Sequence, residues 1–119
     1  MTTFDADDPD AVLRDAREQF IDDFPSRCAS MLELSAAVLH DGDTASKAAL
    51  QTLVHKMAGV GGMLGFPRVS NRSFDLERLI LRLPGDVDMP DIEEAVEALR
   101  NAFETDLESP PPSWALPPG

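Results

Sequence analysis

Tyrosine is absent from this 119-residue chain, and its aromatic side chains are six phenylalanines and one tryptophan. With so few rings, any core has to be assembled mostly from Leu, Val, Ile, Met and Ala. Cysteine occurs once, at Cys28. That excludes an internal disulfide and fits a reducing compartment, so a cytoplasmic location is expected. The thiol itself reads as a small core residue. No run of about 18 apolar residues occurs, so no membrane span is expected. The opening residues, MTTFDADDPD, have neither the basic nor the apolar region of a signal peptide. No stretch alternates with period two, which argues against a sheet. No repeat of roughly 20–50 residues is visible. Cations are scarce, ten against twenty-two anions, and the net charge of −12 argues against nucleic acid as a partner. The length suits one domain with one modest core, and a monomer is expected.

What is present is helical periodicity, organised around Leu53 to Phe66, LVHKMAGVGGMLGF. At 3.6 residues per turn, Leu50, Leu53, Met57, Val60 and Leu64 share one side, with Val54 and Gly61 at its margin. His55 points roughly opposite that stripe, with Gln51, Thr52, Gly59 and Gly62 as outer-face neighbours. Each glycine costs a helix about 1 kcal/mol relative to alanine. Two of them beside one exposed histidine suggest clearance for something that must come close. The same region is a basic island. Thr44 to Leu83 holds six cations (Lys47, Lys56, Arg68, Arg72, Arg78, Arg82) and two anions (Asp75, Glu77), a net +4 in a chain whose remainder carries −16.

Four amphipathic helices follow from the apolar spacing. Residues 1–8 read as a flexible acidic N-terminus, 9–108 as a helical bundle and 109–119 as a flexible tail. Pro9 opens a short helix whose stripe is Leu13, Ala16, Phe20 and Phe24, with Asp8 as its cap. Pro25 breaks the hydrogen-bond ladder of a continuous helix, so a kink or restart is expected there. The next segment, Pro25 to about Leu39, closes at Gly42, with His40 at its end as a structural residue favoured by the helix dipole. Asp43 or Thr44 caps the central helix, which runs to about Leu64. Gly65 terminates it, and Pro67 starts a helix ending near Leu83. Pro90 or Asp91 opens the last one, with Ile92, Ala95, Val96, Leu99, Ala102, Phe103 and Leu107 inward. The tail SPPPSWALPPG has five prolines in eleven residues and reads as extended. The fold expected is all-α: an antiparallel up-down four-helix bundle with a short additional N-terminal helix.

The order His55-Lys56-Met57-Ala58-Gly59, then Gly62, then Leu64-Gly65-Phe66, resembles the histidine-containing phosphotransfer (HPt) domain of two-component phosphorelays. The resemblance spans about Leu13 to Leu107. It implies that His55 is the phosphoacceptor, mid-helix in the second hairpin of the bundle. The chemistry agrees: a neutral imidazole is a competent nucleophile near pH 7 when one ring nitrogen is held by a hydrogen bond. Family members often carry a lysine three residues after the histidine. Here that position is Ala58, and Lys56 is the nearby cation. Many also place a glutamine on the following helix to hold the imidazole, and 22 residues after His55 this chain has Glu77. Glu77 is either the acceptor for one ring nitrogen or an exposed partner of Arg78 or Arg82.

The resemblance implies a phosphoryl carrier, not an enzyme. It would relay phosphoryl groups between aspartates of response-regulator receiver domains, with a hybrid histidine kinase as a further partner. No cofactor is expected on this chain, and Mg²⁺ is expected on the partner receiver. Gln51, Thr52, Gly59, Gly62, Arg68 and Arg72 are the candidate docking residues, the two arginines as cations around the approached face. The alternative is a degenerate module that docks without being phosphorylated. A metal site from His55, His40 and carboxylates has poor ligand spacing.

Overall fold

The computed structural model describes residues 8–116. Four α-helices follow one another: α1 (Ala11–Asp41), α2 (Thr44–Met63), α3 (Pro67–Leu81) and α4 (Met89–Glu108), then a 3₁₀ turn over Ser113–Ala115. Short links make successive helices antiparallel neighbours, and α1 also packs on α4, which closes the ring. Among the described residues there is no strand. No described helix is long and apolar enough to cross a membrane.

The expected short N-terminal helix is not separate. It and the segment after Pro25 form one 31-residue helix. The buried row Phe20, Phe24, Cys28, Met31, Ser35 and Val38 stays in phase across Pro25, which is exposed. A proline inside a helix costs about 3 kcal/mol. Burying Phe20, Phe24 and Met31 contributes about 1.5–3 kcal/mol each, so packing on both sides of the proline prevails. Pro9 lies in the turn ahead of the helix, where Asp8 accepts the Asp10 N–H at 3.1 Å and pairs with Arg14.

The helix ends obey local chemistry. Gly42 closes α1 with φ +63°. Asp43 caps α2 by accepting from the Ala45 and Ser46 N–H groups. Pro67 begins α3. The cap of α4 is Asp88, two residues ahead of the expected opening at Pro90: Asp88 and Asp91 each accept the other's backbone N–H, at 3.1 and 3.0 Å.

Phe66, fully buried in the α2–α3 link, has Phe20 at 5.0 Å and Phe103 at 5.7 Å between ring centroids, and Phe24 stacks on Phe103 at 3.9 Å. At about 46 Å, α1 is much longer than α2 at about 30 Å, so its N-terminal turns overhang the α2–α3 link. The tail covers them. Although expected to be extended, it forms a 3₁₀ turn that packs on α1, with Trp114 half-buried against the core. Arg14 Nη1 donates to the Trp114 carbonyl at 3.4 Å, and Arg17 Nε to the Leu64 carbonyl at 3.2 Å. Gly65 has φ +89°, and a Cβ there would lie 2.5 Å from Pro112. Both the turn and the seated proline therefore require glycine.

On α4 the inward set differs from expectation at one pair. Leu107 is exposed and Asp106 is buried. Asp106 Oδ2 accepts the N–H groups of Arg68 and Val69 at 3.1 and 3.0 Å, and Oδ1 accepts from Arg68 Nη1 at 3.2 Å. Phe66, the residue preceding α3, has no capping side chain of its own. A carboxylate from α4 thus caps α3 from outside, satisfying orphan donors and meeting the positive end of the helix dipole.

Candidate functional site

The buried face of α2 is Leu50, Val54, Met57, Ala58 and Gly61, while Leu53 and Val60 are half-buried. The centre of the stripe is therefore Val54, not its margin. His55 follows at about 100° around the axis, on the flank next to α3 instead of opposite the core. Its side chain is 76% exposed. Its Nδ1–H donates to Glu77 Oε2 at 2.9 Å. A carboxylate only accepts, so this contact puts a proton on Nδ1 and leaves Nε2 as the available nitrogen.

Glu77 thus faces the histidine and not the neighbouring arginines. Arg78 pairs with Asp75, and Arg82 with Asp86. Gln51, Thr52, Lys56 and Leu81 join His55 and Glu77 around one open groove of about 550 Å³. Phe74 and Leu81, three residues before and four after Glu77, lie along the same side of α3. Both are exposed.

The two glycines separate. A Cβ on Gly59 would meet nothing within 4 Å, so that position is open space beside the histidine. A Cβ on Gly62 would come within 3.2 Å of Ser70 Oγ. Gly62 therefore admits the neighbouring helix, and its packing role accounts for it without a visiting partner. Gly61 is buried against Val69 and Phe20.

Arg68 and Arg72 are not brought to His55. Arg68 lies nine residues before Glu77, about half a turn around α3 from it. Both arginines line a separate groove between α3 and α4, with Asn71, Asp75, Asn101 and Thr105. Arg68 is tied to Asp106, and Arg72 pairs with Asp75 at 3.5 Å. Lys47 Nζ is also occupied, donating to the Leu83 carbonyl at 2.6 Å. The basic island is a cluster along the chain that the helix periodicity disperses. Lys56 is the island cation that lines the histidine groove.

Asp106 and Ser70 escaped the sequence reading. For Asp106 a signal was available: it sits seven residues after Leu99, in phase with the stripe, where a carboxylate is out of place. His40 is exposed in the last turn of α1. Among the described residues no group of three His, Cys, Asp or Glu is placed to hold a metal ion. Cys28 is fully buried, and burial pushes its thiol up to about 11.

A ring of four helices displaying a carboxylate-held imidazole on its open side defines a histidine-presenting bundle. The model of the Hpt domain matches residues 15–107, and the chain belongs to that family. Comparisons with curated proteins and with solved structures give no match. Hpt domains are phosphotransfer modules of two-component signalling. They are phosphocarriers rather than catalysts, and interact with receiver domains and histidine kinases.

Proposed function

We propose that this protein is a phosphorelay intermediate that carries a phosphoryl group on His55 Nε2 between receiver-domain aspartates. The observation that carries this reading is the exposed imidazole with Nδ1 held by Glu77 at 2.9 Å. In the forward step the Nε2 lone pair attacks the phosphorus of a receiver's aspartyl phosphate. The N–P bond forms, the P–O bond to the aspartate breaks, and the carboxylate leaves. The Nδ1 proton stays in place, so the ring becomes cationic and Glu77 offsets that charge as it develops. Lys56 supplies a mobile cation for the phosphoryl oxygens. The receiver contributes Mg²⁺ and most of the transition-state stabilisation. Gly59 gives the receiver clearance. Phe74 and Leu81 give it apolar contact, the usual centre of a specific interface.

The test is incubation with a phosphorylated receiver domain. Acid-labile, base-stable phosphate should appear on the wild-type chain and not on His55→Gln. Binding of the receiver without any transfer would establish a docking module instead.

A further inference from the structure

Two polar links join α2 to α3, one turn apart along α2. One is the His55–Glu77 hydrogen bond. In the other, Ser70 Oγ donates to the Ala58 carbonyl at 2.7 Å. Lys47, bonded to the Leu83 carbonyl, adds a third link beyond the histidine. The pairs 58/70, 55/77 and 47/83 follow antiparallel order, so the histidine pair is bracketed on both sides.

The geometry points to Ser70 as a positioning residue for His55. Ser70 and Glu77 are seven residues apart on α3, which puts them on the same side of the helix, two turns from each other. Ala58 is three residues after His55. The hydroxyl bond thus sets the spacing and register of the two helices close to where the carboxylate must meet Nδ1. It forms because position 62 has no side chain: a Cβ there would stand 3.2 Å from Ser70 Oγ and 3.6 Å from Ser70 Cβ. Gly62, Ser70 and the Ala58 carbonyl act as one clamp. Ser70 touches no reacting atom. It acts by holding Glu77 where the Nδ1–H tautomer is selected and Nε2 is left to react.

This inference rests on the proposed phosphotransfer, and two readouts separate them. The first is side-chain ¹⁵N NMR of His55, which reports the proton on Nδ1 without any phosphoryl donor. The second is single-turnover transfer from a phosphorylated receiver. Ser70→Ala should lower the Nδ1–H population and slow transfer roughly tenfold, inside the loss of up to about a hundredfold that a 1 Å misplacement of reacting groups can cause. Ser70→Thr, which keeps the hydroxyl, should restore both. Gly62→Ala should slow transfer in the wild-type background and have little further effect in Ser70→Ala, because the two share one contact. Unchanged His55 signals together with full transfer in Ser70→Ala would overturn the positioning role. If the wild-type chain accepts no phosphoryl group, the phosphotransfer reading fails, and the NMR comparison still decides what Ser70 does to the imidazole.

Discussion

His55 combines exposure with a fixed tautomer, and that combination governs what substitutions should do. His55→Gln removes the nucleophile without touching the core, so phosphoryl acceptance should vanish while the melting temperature hardly moves. An amide oxygen also accepts Nδ1–H. Glu77→Gln keeps that acceptor but loses the charge that offsets the ring cation, so it should slow transfer less than Glu77→Ala, which loses both and should fall by roughly tenfold or more; single-turnover rates distinguish them. Cys28 gives a complementary expectation. Its burial and raised thiol pKa disfavour the thiolate. Iodoacetamide should label it only after denaturation, and rapid native labelling would show that the core opens. At this scale the sequence singled out His55, Lys56 and Glu77 from helical spacing and from counting along the chain, and the structure brings the three to one groove. Ser70 was not legible, because a serine hydroxyl gives no signal until a second helix brings a carbonyl to it.

Among the elements, α3 depends most on its neighbours, since its N-terminus is capped by Asp106 from α4. Asp106→Ala leaves two N–H groups and one arginine without their acceptor. It should cost about 2 kcal/mol or more, read as a lowered denaturation midpoint. Pro25→Ala should have the opposite sign, because it restores an N–H donor to the exposed side of a continuous α1. The caps of α2 and α4 are acid-sensitive. The Ser46 hydroxyl and backbone N–H groups hold Asp43 below the ordinary carboxylate pKa, and bonds from Asp88 do the same for Asp91. Their folded pKa values are depressed. Their contribution is thus complete above the ordinary carboxylate value and is lost across the acid window below it, as pH falls through the folded values. Helicity followed by circular dichroism through that window should fall earlier in Asp43→Ala than in the wild-type chain. Helix type, number of turns and most caps were legible from apolar spacing and punctuation residues. The continuity of α1 was not, since local rules price Pro25 without the rings that hold both halves.

For the whole molecule, a charge of −12 opposes an acidic receiver at long range, and the arginines expected to soften that repulsion face the α3–α4 groove. On the proposed reading, docking at His55 relies on Phe74, Leu81 and Lys56. Added salt should raise the second-order transfer rate by screening net repulsion. Leu81→Ala should lower that rate, and Arg72→Glu should alter it no more than one unit of net charge does elsewhere on the surface. Stopped-flow transfer against receiver concentration at two ionic strengths measures all three. Charge summed along the chain could not reveal this, because residues adjacent in sequence leave a helix in different directions. The Arg14 bridge to Asp8 and to the Trp114 carbonyl has a further consequence. The chain enters and leaves the bundle at one pole. His55 lies about 12 Å back from the end of α2 at that pole. Between Asp8 and Trp114 the described chain is thus buckled like a belt, both of its ends fastened by one arginine at the end of the bundle and not on the α2–α3 face.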